Sequence, residues 1–320
     1  TSKNRSLHVM PMGYMAGLLN TILSPIAAGA SIVLSKEFSP ASIFHFWDPV
    51  ILHQPDVVWL SPSMLESLNR LDRDVRGVDY VRHNAFRVFS ATAPLHQRTK
   101  TQFEQKYGIS PVESYGLTEL LLLTANLGSA GSKSQSVGPP LSDVAISIRE
   151  DYDKKEKIGE EASIWIRTPY EALGCLDYET GGIASAPSKW FDTGDRGFLD
   201  EDGYLFITGR NKDLIVRGGF NVSPATIEET LMEEESVSEV AVVGLPHSIL
   251  GEEIAAFVRP VEGLRLREAV DALRLRCRTA LGPTLVPDRF VEIDSLPKGP
   301  TGKVKKTILR QIITEPNQSS

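Results

Sequence analysis

The chain has 320 residues, 41% hydrophobic and 23% charged, which is ordinary for a globular protein and long enough for two domains at roughly 100–200 residues each. Its 25 glycines and 20 prolines make turns frequent without reaching a collagen-like or disordered composition. A formal charge of −7 excludes the basic footprint of a dedicated nucleic-acid binder, and two cysteines, Cys175 and Cys277, cannot make a disulfide framework or a zinc site alone and suit a reducing cytoplasm.

Thr1 to Arg5 lacks the apolar core of a secretory signal. Tyr14 to Leu34 runs 21 residues without a charge, about the length of a bilayer core. Asn20, Thr21, Ser24 and Pro25 interrupt it, and Gly29-Ala30 precedes the run Ser31 to Leu34. The stretch therefore reads as a buried helix, a turn and a buried strand rather than a transmembrane segment. Val57 to Leu60 and Phe86 to Phe89 read as buried strands, and Leu95 to Tyr107 as a helix ending at Gly108. This alternation over residues 1–115 is the α/β signature. Gly128 to Ser136 is small and polar, hence a loop.

From 137 to 209 short strands follow one another: Ala145 to Ile148, Ser163 to Ile166 and Tyr204 to Ile207, with Asp202-Gly203 marking a hairpin. From about 212 the pattern becomes α+β, with helices near 224–234, 266–280 and 303–313 and strand-like runs at 240–244 and 254–258. The tail Glu315 to Ser320 is expected to fray. No internal repeat is visible.

Several chemistries are excluded at once. G-x-G-x-x-G, H-E-x-x-H and G-x-S-x-G are absent, and the six histidines show no metal-ligand spacing. Gly299 to Lys303 looks like half a phosphate loop, but Pro297 replaces the first glycine of a Walker loop and Val304 its magnesium-binding Ser or Thr.

Three other segments carry chemistry. Glu113-Ser114-Tyr115-Gly116-Leu117-Thr118-Glu119, at a strand end, sets a hydroxyl and a carboxylate beside an aromatic, groups that can bond a phosphate, hold Mg²⁺ and stack a base. Taken alone, it also reads as an ordinary strand–turn–helix junction. Trp190-Phe191-Asp192-Thr193-Gly194-Asp195 is followed fifteen residues later by Arg210. Asp195 could accept from both hydroxyls of a ribose, or the segment could be a capped β-turn. Leu296 to Lys306 places four lysines on a Gly/Pro-rich loop opening a helix, able to bring a cation to a polyphosphate or simply to lie solvated.

Together, in this order and spacing, the segments resemble the AMP-forming adenylating superfamily: acyl-CoA synthetases, the adenylation domains of peptide synthetases, and firefly luciferase. Ser90 to Leu95 (SATAPL), Ser136 to Leu141 (SVGPPL) and Gly209 to Gly219 (GRNKDLIVRGG) match as well, so the resemblance covers nearly the whole chain. It is nearest to acyl-CoA synthetases. The resemblance implies an α/β large-domain portion over residues 1–211 with a β-rich subdomain at about 137–209, followed by a small, mobile α+β C-terminal domain over 212–320.

It further implies ATP-dependent activation of a carboxylic acid as an acyl-adenylate, then transfer to the thiol of CoA, in the cytoplasm, with ATP/AMP, Mg²⁺ and CoA as the bound species. The alternatives are an adenylation domain loading a carrier protein, and a catalytically silent nucleotide-binding relative. By resemblance Tyr115 stacks on adenine, with Ser90, Ala91, Thr92, Ala93, Glu113, Ser114 and Gly116 around the base. Thr118 contacts the α-phosphate, Glu119 positions Mg²⁺, and Asp195 and Arg210 hold the ribose. Lys303 stabilises the adenylation transition state, Lys212 is the hinge, and Gly218 and Gly219 line the thiol's approach.

The chain also departs from the family pattern. The family's Ser/Thr/Gly-rich phosphate loop should lie some tens of residues before His8, so the expectation is a fragment of a longer enzyme or a degenerate relative. Gly13-Tyr14 stands where many acyl-CoA synthetases carry Phe-His. No Asp occurs between Leu7 and Ser35 to pair an amino acid's ammonium, which disfavours amino acids. Ala91 and Thr92 stand where glycine is frequent, which narrows an acyl pocket toward short or medium acids.

Overall fold

Six apolar runs, β1 (Arg5–His8), β2 (Ser31–Leu34), β3 (Val57–Leu60), β4 (Arg87–Ser90), β5 (Val112–Leu117) and β6 (Leu121–Ala125), form one sheet in the order β2-β1-β3-β4-β5-β6. The computed structural model describes residues 1–320 except 40, 128–130, 158, 177–178, 186–188, 300–301 and 315–320, so the expected fraying of Glu315 to Ser320 lies outside the described residues. Pairing is parallel from β2 through β5, and β6 returns antiparallel to β5. Helices Pro62–Leu71, Val75–His83 and Gln97–Tyr107 connect or follow the parallel strands, which is why the strands are apolar on both faces.

Leu7, Val58, Leu60 and Val88 meet Trp47, Leu65, Leu68, Phe103 and Tyr107 in the main core of this region. The two polar ring atoms are satisfied together: Trp47 Nε1 and Tyr107 OH both donate to the buried Asp72 carboxylate, at 2.9 and 2.6 Å. Burial and that carboxylate push the Tyr107 phenol well above its ordinary range.

The uncharged stretch 14–34 corrects one expectation. It forms a π-helical segment, Ala16–Leu23, running into a short α-helix, Ser24–Ala27, and then β2. Only Ala16, Gly17, Asn20 and Thr21 of the π-helical segment are buried, while Leu18, Leu23, Ile26 and Leu34 are exposed. The reason is topological, because β2 is an outer strand of the sheet. Among the described residues no helix is long and apolar enough to cross a membrane.

The β-rich part contains β7 (Ala145–Ile148), β8 (Ala162–Arg167), β9 (Gly174–Leu176), β10 (Ile183–Ser185), β11 (Phe191–Leu199) and β12 (Leu205–Arg210). Four of these form a sheet in the order β12-β11-β8-β7, and β9 pairs with β10. Asp202-Gly203 makes the expected turn between β11 and β12. Asp200 closes it by accepting from the backbone N–H of Asp202 and Tyr204, at 3.0 and 2.9 Å.

The last part is built on β13 (Ile215–Arg217), β14 (Phe220–Val222), β15 (Val237–His247), β16 (Gly251–Pro260) and β17 (Arg289–Glu292). The long β15–β16 hairpin is buried on both faces, and its side chains alternate between two cores. Val240 and Val242 face Ile227, Leu231, Leu273 and Cys277. Ala241, Val243 and Leu245 face Leu296 and Leu309. Helices Pro224–Met232, Leu266–Leu281 and Lys306–Thr314 supply those partners. The chain divides into two compact units, Thr1–Thr193 with Phe198–Phe206, and Gly194–Gly197 with Ile207 onward.

Candidate active site

In the first unit the motif residues gather at the carboxyl ends of β4 and β5, where open α/β sheets bind ligands. Ser90 and Glu113 are register partners across these neighbouring parallel strands, and Ser114 Oγ donates to the Ser90 carbonyl at 3.3 Å. Glu113 is held by Lys100, Nζ to Oε1 at 2.8 Å, with both side chains more than nine-tenths buried. Tyr115 is buried at 9% exposure, Thr118 is exposed and Glu119 half-buried.

The junction is not strand–turn–helix. Tyr115 and Gly116 lie on β5, residues 118–120 turn, and β6 runs back antiparallel with a bulge between Tyr115 and Gly116. That bulge demands the glycine, because a Cβ at Gly116 would stand 2.4 Å from the Leu121 carbonyl oxygen. Ala172 donates its backbone N–H to the Glu119 carbonyl at 2.7 Å and so steadies the turn. Ala91, Thr92 and Ala93 form the loop after β4, with Thr92 in the left-handed region at φ 83°, an outlier for a β-branched residue.

In the second unit Asp195, only 3% exposed, accepts from Arg210 Nε at 2.8 Å, so the two residues assigned to a ribose are an ion pair here. Lys212 is exposed in a 3₁₀ turn, Asn211–Asp213, between β12 and β13. Gly218 and Gly219, at φ 58° and 85°, join β13 to β14. A two-residue hairpin with both central residues at positive φ calls for glycine whatever ligand passes by.

Lys303 corrects a second expectation. The helix begins at Lys306, and Lys303 sits in the loop before it, exposed, with its carbonyl accepting from Gly299 N–H at 2.9 Å. Pro300 and Thr301 of that motif lie outside the described residues. Among these lysines, Lys298 pairs with Glu239, and Lys306 with Glu228 at 2.7 Å. Lys303 and Lys305 are the exposed pair.

Sequence reading missed two residues. Lys100 lies thirteen positions before its carboxylate partner, and nothing in its spacing marks it. Glu171 is one residue from the Ala172 contact to Glu119, and its Oε1 is sealed from solvent with no hydrogen-bond partner among the described residues. The hydroxyls of Ser90 and Thr92 are likewise sealed and unpartnered. The only available signal was that Ala91 and Thr92 are unusual in place of glycine.

The profile of the AMP-binding enzyme family matches residues 1–176, and that of the AMP-binding enzyme C-terminal domain matches 226–303. The sulfoacetate–CoA ligase of Cupriavidus necator is 32% identical over 312 residues, covering 95% of this chain and 58% of that protein. The oxalate–CoA ligase of Arabidopsis thaliana is 29% identical, covering 98% and 61%. The ATP-bound crystal structure of MatB from Rhodopseudomonas palustris superposes with a TM-score of 0.85 at 28% identity, covering 98% of this chain and 61% of that one. The chain thus spans about three-fifths of the length of the relatives it matches. With these matches and the motif geometry in agreement, the chain belongs to the AMP-binding enzyme family, the AMP-forming adenylating enzymes, on its acyl-CoA-synthetase side.

Proposed function

We propose that the protein carrying this chain activates a carboxylic acid with ATP and passes the acyl group to CoA. A carboxylate has no usable leaving group. Its oxygen attacks the α-phosphorus of ATP, the bond to the bridging oxygen breaks, and pyrophosphate leaves. The thiolate of CoA then attacks the acyl carbon, and AMP departs with the electrons of the C–O bond. The first transition state gathers negative charge on phosphoryl oxygens, so it is stabilised by positioned donors and cations.

The observation that supports this most is the β5–β6 hairpin beside the β4 loop, which places Tyr115, Thr118 and Glu119 at the strand ends. Tyr115 would stack on the base, flanked by Ser90 to Ala93, Glu113, Ser114 and Gly116. The ion pair to Lys100 fixes the Glu113 carboxylate. Thr118 Oγ1 would donate to an α-phosphate oxygen. Asp195, oriented by Arg210, would accept from the ribose hydroxyls. Lys303 would meet the α-phosphate charge.

Thr118 and Glu119 are hard oxygen donors on a turn, one exposed and one half-buried, which fits a Mg²⁺ that keeps waters and phosphate oxygens as its other ligands. When bound, that ion would neutralise polyphosphate charge. Lys212 would be the hinge between half-reactions, with residues 212 onward as the mobile domain, Gly218-Gly219 near the thiol, and the cytoplasm as the site of action.

The test is acid-dependent pyrophosphate exchange by the intact protein over a panel of carboxylic acids, followed by thioester assay with CoA. Exchange that requires one class of acid, with thioester formed from CoA, is the expected result. No exchange with any acid would overturn the reading.

A further inference from the structure

Ser223 opens the helix Pro224–Met232 from the N-cap position, with extended backbone at φ −78° and ψ 118°. A serine there ordinarily turns its hydroxyl oxygen onto a first-turn N–H, a donor that the helix itself leaves unmet. Ser223 does otherwise. Its Oγ makes no capping bond and instead donates to the Thr208 carbonyl at 2.6 Å, fifteen residues back on β12. Pro224 at the start of the helix has no N–H and so removes one unmet donor, but the N–H groups after it go without the serine's cap.

The approach is close. A Cβ at Gly209 would stand 3.0 Å from Ser223 Oγ, so the glycine beside Thr208 leaves the hydroxyl its path. Thr208 precedes the turn Asn211–Asp213, and Ser223 follows both that turn and the β13–β14 hairpin, all within the second compact unit. The bond therefore closes a loop of chain that contains Lys212. Rotation of the backbone at Lys212 changes the separation of the two ends, and a hydrogen bond is lost by ~3.6 Å. Once free of Thr208, the Ser223 side chain needs only a change of rotamer to turn onto its own helix.

We propose that Ser223 is a positioning residue that works as a two-way latch: bonded to Thr208 it holds one setting of the Lys212 hinge, and released by rotation there it caps the helix Pro224–Met232. This rests on the hinge reading above. Each setting then keeps one hydrogen bond of similar worth, so the two stay close in free energy and the domain can turn in both directions.

The test uses the intact protein. The two half-reactions use different settings, so the ratio of their rates reads the balance between settings: pyrophosphate exchange over thioester formation from supplied acyl-adenylate and CoA. Ser223→Asp keeps an acceptor that suits a helix N-terminus but has no proton to give Thr208. It should move the ratio by about 3–10-fold, the worth of one hydrogen bond, with the melting temperature near wild type. Ser223→Thr can both donate and cap, and should keep the wild-type ratio. Ser223→Ala loses latch and cap alike and should move the ratio less than Ser223→Asp does.

Lys212→Pro supplies the second arm. With the hinge fixed, adding Ser223→Asp should move the ratio no further. A wild-type ratio in folded Ser223→Asp overturns the proposal, and so does a shift that persists in full beside Lys212→Pro. Both rates falling together with the melting temperature would leave Ser223 a purely structural role and overturn it as well. A shift in Ser223→Ala as large as that in Ser223→Asp would remove the cap from the second setting and with it the two-way latch. Lys212→Pro alone at the wild-type ratio would instead sink the hinge reading itself.

Discussion

Lys100 and Glu113 form a buried ion pair, Nζ to Oε1 at 2.8 Å, between the helix Gln97–Tyr107 and strand β5, one residue before Ser114 and two before Tyr115. The pair ties the helix to the strand that presents the proposed base-binding side chains. It does so at a desolvation cost that the pairing offsets. Removing one member leaves the other charge buried without its pair.

Lys100→Met should therefore lower stability by about 3–5 kcal/mol, the usual cost of breaking such a pair. Adding Glu113→Leu to that variant should recover most of the loss, since two apolar groups of similar volume need no pairing. Denaturant midpoints of the single and double variants measure both steps. A Lys100→Met midpoint equal to wild type would show that the pair contributes nothing.

For Lys303 the expectation concerns one half-reaction. Lys303→Ala in the intact protein should slow adenylation by ~10²–10³, the scale of losing one transition-state charge contact. Thioester formation from a supplied acyl-adenylate should stay near normal. Lys298 is held by Glu239. Its replacement should register in melting temperature before it registers in adenylation. Equal loss in both half-reactions of Lys303→Ala would reject the assigned role.

The extent to which this architecture is legible from residues alone follows the range of each interaction. Runs such as Val57 to Leu60 and the helix ending at Gly108 are set by local periodicity and local stop signals, and they stand where expected. The β15–β16 hairpin runs to Val237–His247 and Gly251–Pro260, longer than the apolar cores at 240–244 and 254–258 suggest. Ladder pairing carries Pro246, Glu252 and Glu253 along despite their low strand preference.

Burial of the stretch 14–34 was not legible, because exposure of β2 depends on its place in the strand order rather than on its own residues. The start of the last helix moved for a similar reason. A bridge between Lys298 and Val304 holds the chain out of helix until Lys306. In the candidate site the motif residues were visible, while Lys100 acts through a partner thirteen residues away and Glu171 is brought near by the Ala172–Glu119 backbone hydrogen bond.

Acid should loosen the anchor of the Lys303 loop. Burial alone would raise the Glu239 carboxyl, but Lys298 and Arg259, the latter at 2.8 Å, hold it below the ordinary carboxylate range. A carboxyl whose folded value is depressed contributes stability that is full above its unfolded value, ~4.3, and is lost as pH falls through the lower folded value. The melting temperature should therefore drop between about pH 5 and 3. Glu239→Gln should flatten that drop and lower the melting temperature at neutral pH by roughly 2–4 °C. An identical pH slope in the variant would remove Glu239 from the account.

Lys212 offers the sharpest test of a moving domain. It lies exposed in a 3₁₀ turn, with Arg196 Nη1 donating to the Asn211 side chain at 3.3 Å on one side and β13 beginning at Ile215 on the other. A hinge needs a few residues whose φ and ψ can change widely. Lys212→Pro fixes φ near −65° and restricts Asn211 as well, without touching the side chains proposed to hold ATP. The intact variant should keep acid-dependent pyrophosphate exchange within about tenfold, or ~1.4 kcal/mol in barrier. Its conversion of acyl-adenylate and CoA to thioester should fall much further. A lysine that is merely solvated predicts something different: proline there either changes neither half-reaction or lowers the melting temperature and both rates together. Measuring both half-reactions beside the melting temperature separates these cases. Thioester formation at the wild-type rate in a fully folded variant would rule out Lys212 as the hinge.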